Sequence, residues 1–271
     1  MQPFYATLSA LAVYALFWWP APAKAADILV DLELVLAVDV SLSMDRFEQE
    51  LQLRGYVAAM QNPQVLRAIE TGLHKRIAVI FVEWGGENYQ NIKVPWTLID
   101  GKVAAVRFSE ELARNKLIAL PRTSISSGVL FSAALFEKNG FNGTRRVIDI
   151  SGDGPNNQGV FVHHARDAVI SSGITINGLP VMLRAGQEPG FFDLTNLDVY
   201  YEDCVIGGPG AFIVRVRDEK NFASAIRRKL ILEISGGAPR IIRAQAIWRQ
   251  PPRIDCQIGE KLWDEWLGYQ D

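Results

Sequence analysis

Residues 32–43 have the sequence LELVLAVDVSLS, and this stretch decides the fold. Its first half is apolar except for Glu33. A near-continuous apolar run is typical of a strand that is buried on both faces of a parallel sheet. The run is followed directly by Asp39, Ser41 and Ser43 at alternating positions. The stretch therefore predicts a buried strand that ends in a loop of oxygen-bearing side chains.

Further apolar runs alternate with segments of helical spacing along the chain. The predicted strands are 76–82, 147–150, 174–179 and 212–216, with a further candidate at 241–248. The predicted helices are 47–60, 103–117, 127–138, 161–172 and 221–234. Because strands that alternate with helices form right-handed crossovers, the fold class is α/β, with a doubly wound, mostly parallel sheet and helices on both faces.

One part of the chain departs from this alternation. The apolar segments 76–84 and 89–96 are separated only by Gly85-Gly86-Glu87-Asn88. Two strands joined by a short glycine-rich turn form a hairpin. We therefore expect one antiparallel strand at an edge of the sheet.

Length and composition indicate a globular protein with one main domain. The chain has 271 residues, of which 49% are hydrophobic and 21% charged, and this balance is not that of a disordered chain. The formal net charge of −2 gives no electrostatic reason to expect a nucleic-acid partner. A Gly- and Pro-containing stretch near residue 238 divides a main domain at 26–238 from a C-terminal extension at 239–271, which is rich in Trp and acidic residues.

Residues 1–25 have the pattern of an export signal. An apolar run from Phe4 to Trp19 precedes Ala23-Lys24-Ala25, which has the small-x-small form of a cleavage site. The alternative is an uncleaved membrane anchor, although the run is shorter than the roughly 20 residues that span a bilayer. We expect cleavage near Ala25, no membrane span in the mature chain, and a periplasmic or secreted bacterial protein.

Cys204 and Cys256 are the only cysteines of the chain. In an oxidising compartment two cysteines tend to form a disulfide, which would staple the C-terminal extension back onto the domain. The alternative, two buried free thiols, stays open at the level of sequence. Without a nearby histidine the pair does not form a zinc site.

Three loops are predicted at the carboxyl edge of the sheet, where ligands of open α/β sheets bind. They contain Asp39, Ser41 and Ser43, then Thr123 before a helix, then Asp153 after the strand 147–150. Carboxylate and hydroxyl oxygens suit Mg²⁺, or Mn²⁺ or Ca²⁺, and leave room for an incoming carboxylate.

Two other interpretations compete for these loops. Ser43 or Asp45, with Glu48, could form a helix cap, which is compatible with metal binding. The sequence Asp149-x-Ser151-x-Asp153-Gly154 also copies the first half of an EF-hand calcium loop, although the bidentate Glu is missing and a strand precedes it.

The five residues resemble the metal-ion-dependent adhesion site of von Willebrand factor A domains. That motif is Asp-x-Ser-x-Ser followed by a Thr and an Asp from two later loops, and Asp39, Ser41, Ser43, Thr123 and Asp153 match it. The resemblance covers about 33–234. It departs from the family pattern at Leu42, where Gly is common, and at Gly152, an extra residue before Asp153. Segments such as VPWTLID at 94–100 and ISGDGPNN at 150–157 further resemble a bacterial family of exported A-like proteins of unknown function.

This resemblance implies a non-enzymatic module that binds the acidic side chain of an unknown protein ligand through a metal ion. One alternative is a metal-activated hydrolase at the same site, although His74, His163 and His164 lie elsewhere in the predicted fold. Another is a structural subunit of an envelope complex that docks through the Trp-rich extension.

Overall fold

The structure is a computed structural model that describes residues 26–116, 118–183, 194–236 and 251–268. Its strands are β1 (Ile28–Val30), β2 (Glu33–Asp39), β3 (Ile77–Trp84), β4 (Gln90–Ile99), β5 (Phe141–Gly143), β6 (Arg146–Gly152) and β7 (Thr175–Pro180). Its helices are α1 (Arg46–Met60), α2 (Pro63–Glu70), α3 (Lys102–Ala113), α4 (Ile125–Ala134), α5 (Val162–Ser171), α6 (Leu197–Tyr200), α7 (Phe222–Ile234) and α8 (Ile258–Gly268). A π-helical turn at Tyr201–Val205 follows α6, and a short 3-10 turn at Glu219–Asn221 precedes α7.

The main sheet has the strand order β4-β3-β2-β6-β7. Strands β3, β2, β6 and β7 are parallel, and β4 pairs with β3 in the antiparallel direction. The α/β fold class with one antiparallel edge strand is therefore confirmed. Strand β2 lies at the centre of this sheet, which explains why its residues are buried along its whole length.

Each face of β2 packs against a different set of helices because successive side chains point to opposite faces. Leu34 and Leu36 belong to a core with Tyr56 of α1, Phe108 of α3 and Ile226 of α7. The opposite face places other β2 side chains in a second core with α4, α5 and the π-helical turn. Burial on both faces holds the carboxyl end of β2, and the loop after it, in a fixed position.

The predicted strand 212–216 forms only isolated bridges to β7. Its backbone alternates in register with β7, since the Val214 N–H donates to Gly178 O at 3.0 Å and the Val216 N–H donates to Pro180 O at 3.0 Å. Pro180 has no N–H to return the intervening bond, so the ladder is interrupted there. The prediction of a continuous strand was wrong for this reason. The candidate strand 241–248 lies outside the described residues.

The predicted disulfide is present. Cys204 of the π-helical turn is bonded to Cys256, which lies just before α8. The bridge joins the C-terminal extension to the face of the domain formed by the second core. None of the helices in the described residues is long and apolar enough to cross a bilayer.

Candidate metal centre

The first loop begins at the last residue of β2. The Asp39 carboxylate accepts a hydrogen bond from the Ser41 N–H at 2.7 Å through Oδ1, which turns the chain back on itself. The hydroxyl oxygens of Ser41 and Ser43 lie 2.7 Å apart. Asp45, and not Ser43, caps α1, in a reciprocal capping box with Glu48. The helix cap and the Asp-x-Ser-x-Ser loop therefore use different side chains, and both exist together.

The second loop lies directly beside the first. Leu120 forms a bridge to Ser41, in which the Leu42 N–H donates to Leu120 O at 2.7 Å and the Leu120 N–H donates to Val40 O at 3.0 Å. Thr123 follows and is buried, with 3% of its surface exposed. Ser124 then caps α4. The backbone pairing brings the hydroxyl-bearing start of α4 to the same edge of the sheet as Asp39.

The third loop meets the first at two glycines. Gly152 is the last residue of β6, and a Cβ added to it would lie 2.7 Å from Asp39 Oδ2. A Cβ added to Gly154 would lie 3.9 Å from Ser43 Oγ. The residue between them is Asp153. The extra Gly152 is thus part of the strand, and its missing side chain is what lets β6 approach the Asp39 carboxylate.

Two neighbouring asparagines connect the second and third loops. Asn157 accepts a hydrogen bond from the Thr123 N–H at 3.0 Å through Oδ1, and its own N–H donates to Thr123 O at 2.9 Å. Asn156 accepts from the Ser126 N–H at 3.0 Å. In the sequence this pair belongs to the segment ISGDGPNN at 150–157, which carries no role for either side chain. The structure shows a role for the pair, which fixes Thr123 relative to the loop of Asp153.

The electrostatics of the site centre on Asp39. Burial raises the pKa of its carboxyl to about 7, against the opposing effect of nearby backbone N–H groups. Among the described residues, Asp39 Oδ2 has no hydrogen-bond partner. A buried carboxylate oxygen in this state is costly unless a cation or a proton satisfies it. The donor set fits a hard divalent metal at this point.

The sequence did not indicate Tyr201 as part of the site. Its hydroxyl oxygen would lie 2.9 Å from a Cβ added to Gly152, the same Cβ that would meet Asp39 Oδ2. Burial raises the pKa of Tyr201 well above its usual range, and the nearby carboxylates of Asp39 and Asp153 raise it further. Tyr201 therefore stays a neutral phenol near Asp39, and its hydroxyl has no hydrogen-bond partner among the described residues. Its only sequence signal was a pair of tyrosines close to Cys204, which does not indicate a position in the fold.

Several other residues singled out in the sequence have structural roles. Trp84 is fully buried against Gly128, and the Trp96 indole N–H donates to Leu135 O at 3.0 Å. Asp149 is a buried strand acid paired with Lys229 at 2.6 Å. Because Asp149 lies within β6 and not in a loop, the EF-hand interpretation was wrong. In the described part of the chain, no three His, Cys, Asp or Glu side chains form a cluster that could hold a metal.

The described contacts of the histidines lie outside the first loop. The His74 N–H donates to Asp31, which precedes β2 and so lies at the opposite edge of the sheet. His163 and His164 lie in the first turn of α5, with their ring centres 4.3 Å apart and both rings against Phe161. Burial lowers the pKa of His163, and the neighbouring His164 acts in the same direction. None of these contacts orients a histidine as a base toward the first loop.

Comparison with known proteins identifies the family and the fold. A family model described as "Protein of unknown function (DUF1194)" matches residues 29–238, and the chain belongs to this family. No curated protein matches the sequence.

Solved structures with the same fold include a thread matrix protein and a pilus adhesin. Proximal thread matrix protein 1 from the mussel byssus has 12% identity and a TM-score of 0.54, with 78% of this chain and 49% of that chain covered. The same protein with a "zinc occupied MIDAS motif" has a TM-score of 0.52 at 12% identity, with 78% and 47% covered. The pilus adhesin SpaC from Lactobacillus rhamnosus GG has 11% identity and a TM-score of 0.55, with 78% and 31% covered.

This chain thus spans half or less of the length of those structures. At such low identity the likeness concerns the fold alone, which is that of a von Willebrand factor A domain.

Proposed function

We propose that this member of the family is an exported, non-enzymatic module that binds a protein partner through a divalent metal ion. Asp39, Ser41, Ser43, Thr123 and Asp153 would hold Mg²⁺, or Mn²⁺ or Ca²⁺. One observation carries the proposal. The buried Asp39 carboxylate, with Oδ2 lacking a hydrogen-bond partner among the described residues, lies where the three loops meet.

The chemistry of the donors supports a ligand with a carboxylate. When bound, a metal of this kind supplies positive charge and leaves coordination positions for water or for a ligand oxygen, because a few protein oxygens do not fill its shell. Asp39 would provide the negative charge, and the hydroxyl groups of Ser41, Ser43 and Thr123 would provide neutral oxygens. A donor set with few carboxylates leaves the metal able to attract an acidic side chain.

The surface beside the first loop supports a protein as the source of that carboxylate. Leu42 is 64% exposed and Phe47 is 51% exposed, and they flank the loop on the side of α1. Exposed apolar side chains beside a polar site are typical of protein interaction surfaces. The proposed partner therefore presents an acidic side chain next to apolar residues.

A hydrolase at this site has less support because the described contacts of the three histidines lie outside the first loop. Phosphatase and esterase substrates should show no metal-dependent turnover above background. Clear turnover that is abolished by Asp39→Ala would replace the binding proposal with the enzymatic one.

Calorimetric titration with Mg²⁺ and Mn²⁺ tests the metal site. Wild type should bind one ion, and Asp39→Ala should bind none in the same range. The matched control is Asp100→Ala, which makes the same change at an exposed residue after β4, at the opposite edge of the sheet. Equal binding by wild type and Asp39→Ala would contradict the proposal.

Capture of envelope proteins with and without metal tests the partner. A protein that is captured by wild type with metal, and not by Asp39→Ala, is the expected partner.

Export to the periplasm or the medium is also proposed, and the Cys204–Cys256 bridge supports it because structural disulfides persist in oxidising compartments. Residues 1–25 lie outside the described residues. The intact mass of the protein purified from the envelope fraction should correspond to cleavage near Ala25. A mass that includes residues 1–25 would favour the uncleaved anchor.

A further inference from the structure

The C-terminal helix α8 is fixed to the domain at its start. It begins two residues after Cys256, which is bonded to Cys204 in the π-helical turn. In the same region, Arg253 pairs with Asp203 at 2.7 Å. These covalent and ionic links leave the first turn of α8 little freedom to leave the domain surface. The surface on which it lies is that of the second and third metal loops.

Gly259, in the first turn of α8, packs against the third loop without space for a side chain. A Cβ at this position would lie 2.0 Å from Asn156 O and 3.1 Å from Pro155 Cβ. The next residue, Glu260, accepts a hydrogen bond from Asn156 Nδ2 at 2.8 Å. The helix backbone and one carboxylate thus hold the same asparagine from two sides.

Asn156 transmits this contact to the second loop. Its Oδ1 accepts from the Ser126 N–H at 3.0 Å, and its N–H donates to Tyr200 Oη at 3.1 Å. The next residue, Asn157, is bonded to Thr123 in both directions. Asn156 itself is fully buried. A displacement of its backbone would therefore also move Asn157 and the hydrogen bonds between Asn157 and Thr123.

A second contact joins α8 to the residue before Thr123. The Arg122 guanidinium lies 3.6 Å from the centre of the Trp263 ring, and its Nη2 donates to Asn157 O at 2.8 Å. A cation over an indole face contributes about 0.5–2 kcal/mol. Arg122 has φ +73°, a backbone conformation that is rare for a residue with a side chain. Such a conformation persists only when surrounding contacts hold it.

We propose that α8 is a clasp that positions the second and third metal loops through Gly259, Glu260 and Trp263. This proposal rests on the proposed metal site and adds a determinant of its affinity from outside the three loops. Groups that orient the ligands of a metal typically change its affinity 10- to 100-fold when they are removed. Asn156, Asn157 and Glu260 are thus positioning residues, while Thr123 would hold the metal.

Two glycines of α8 provide a matched test. Gly259→Ala places a methyl group 2.0 Å from Asn156 O, whereas a Cβ at Gly268 meets nothing within 4 Å. Both changes replace a glycine of α8 by alanine, which is the better helix former. In a titration with Mn²⁺, Gly259→Ala should bind about tenfold more weakly than wild type. Gly268→Ala should bind like wild type.

A second pair of variants separates positioning from general stability. Glu260→Ala removes the acceptor for Asn156 and should weaken Mn²⁺ binding. Glu260→Gln keeps an oxygen acceptor at the same place and should restore most of the affinity. Glu265→Ala, an exposed acid on the same helix, is the control. A purely structural role would lower the melting temperature of Glu260→Ala and leave the Mn²⁺ affinity of the folded protein unchanged, which would overturn the proposal.

Amide hydrogen exchange without metal provides a readout that does not depend on the proposed function. The Thr123 and Asn157 amides should exchange faster in Gly259→Ala and not in Gly268→Ala. Equal exchange of these amides in Gly259→Ala and wild type would overturn the proposed clasp. An unchanged Mn²⁺ affinity in a Gly259→Ala protein whose α8 is displaced would also overturn it. If wild type binds no Mn²⁺, the proposed function fails, and the exchange rates alone then decide for or against the clasp.

Discussion

The ionised carboxylate of Asp39 has a different effect on folding stability in the metal-free protein than it would have in the metal-bound protein. Burial raises the pKa of its carboxyl from 3.8 to about 7. A folded-state pKa above the unfolded one means that the stabilising contribution is present below about pH 4 and is lost as the pH rises to about 7. At neutral pH without metal, the ionised Asp39 is therefore a cost to folding that a divalent cation would offset.

This cost predicts the effect of Asp39→Asn on stability. In the presence of a chelator at pH 7.5, the variant should be more stable than wild type by on the order of 2 kcal/mol, since an amide stays neutral on burial. At pH 4 the two proteins should differ little. Urea denaturation at both pH values measures this, with Asp100→Asn as the control. A wild type that is more stable than Asp39→Asn at pH 7.5 without metal would contradict the account.

Gly152 predicts a second residue-level outcome. In Gly152→Ala the added methyl would lie 2.7 Å from Asp39 Oδ2 and 2.9 Å from Tyr201 Oη, so the first and third loops must separate. We expect a loss of about 1–3 kcal/mol in unfolding free energy, as for other overpacked sites. Metal binding should fall with it. Gly268→Ala, where a Cβ meets nothing within 4 Å, should leave both unchanged.

The sequence predicted the candidate residues for a simple physical reason. Asp39, Ser41 and Ser43 lie within one five-residue segment, and the rule that ligands bind beyond the carboxyl ends of parallel strands places the loops of Thr123 and Asp153 near them. The resemblance to the adhesion-site motif then indicated those two residues within their loops. The supporting contacts could not be predicted in this way. The bonds between Asn157 and Thr123 and the approach of Gly259 to Asn156 depend on how loops and helices pack, which no local pattern encodes.

At the scale of elements, α7 is held to the sheet by buried charges. Lys229 pairs with Asp149 of β6 at 2.6 Å and with Glu233 one turn further along α7. All three side chains are almost fully buried. Burial raises the pKa of the Glu233 carboxyl to about 7, and the neighbouring Asp149 acts in the same direction while Lys229 opposes it. Lys229 thus offsets the negative charge of both acids.

Removal of this lysine should be costly. Lys229→Met leaves Asp149 and Glu233 buried without their cation, which typically costs about 3–5 kcal/mol. The control is Arg228→Met, an exposed position on the same helix. Thermal and urea unfolding at pH 7.5 compare the two. A Lys229→Met protein as stable as wild type would show that the ion cluster does not hold α7.

The sequence correctly predicted strands that are uniformly buried, and it failed for the segment whose pairing with its neighbouring strand is interrupted. Strand β2 is apolar between Glu33 and Asp39 and buried along its length because it lies at the centre of the sheet. The turn at 85–88 correctly predicted the antiparallel β4. The segment 212–216 is equally apolar. Its strand is interrupted by Pro180 on the neighbouring strand, a residue that the composition of 212–216 cannot reveal.

At the scale of the whole molecule, the C-terminal extension covers the domain's own surface in its described part. Trp263 lies against Arg122, and Gly259 against Asn156. This arrangement favours an intramolecular role for the extension over docking to an envelope complex. The three loops of the proposed metal site thus lie between the main sheet and α8, which the disulfide links to the domain.

The disulfide predicts a whole-molecule effect on stability. Cys204 and Cys256 are 52 residues apart in sequence, and closing a long loop stabilises a fold by about 2–4 kcal/mol. The double change Cys204→Ser and Cys256→Ser should lower the unfolding free energy by this amount and speed proteolysis of α8. Urea unfolding and limited proteolysis measure the two effects. An extension that is equally protected in this variant would show that the bridge does not retain α8.

The central claim is that a single divalent ion sits where the three loops meet. Crystals soaked in Mn²⁺ and measured near the manganese absorption edge give an anomalous difference map that locates the ion directly. We expect one strong peak within coordination distance of the Ser41 and Ser43 hydroxyl oxygens, beside Asp39 and Thr123, and no such peak in Asp39→Ala crystals. An empty map at these loops under saturating Mn²⁺, or a peak only at another part of the molecule, would contradict it.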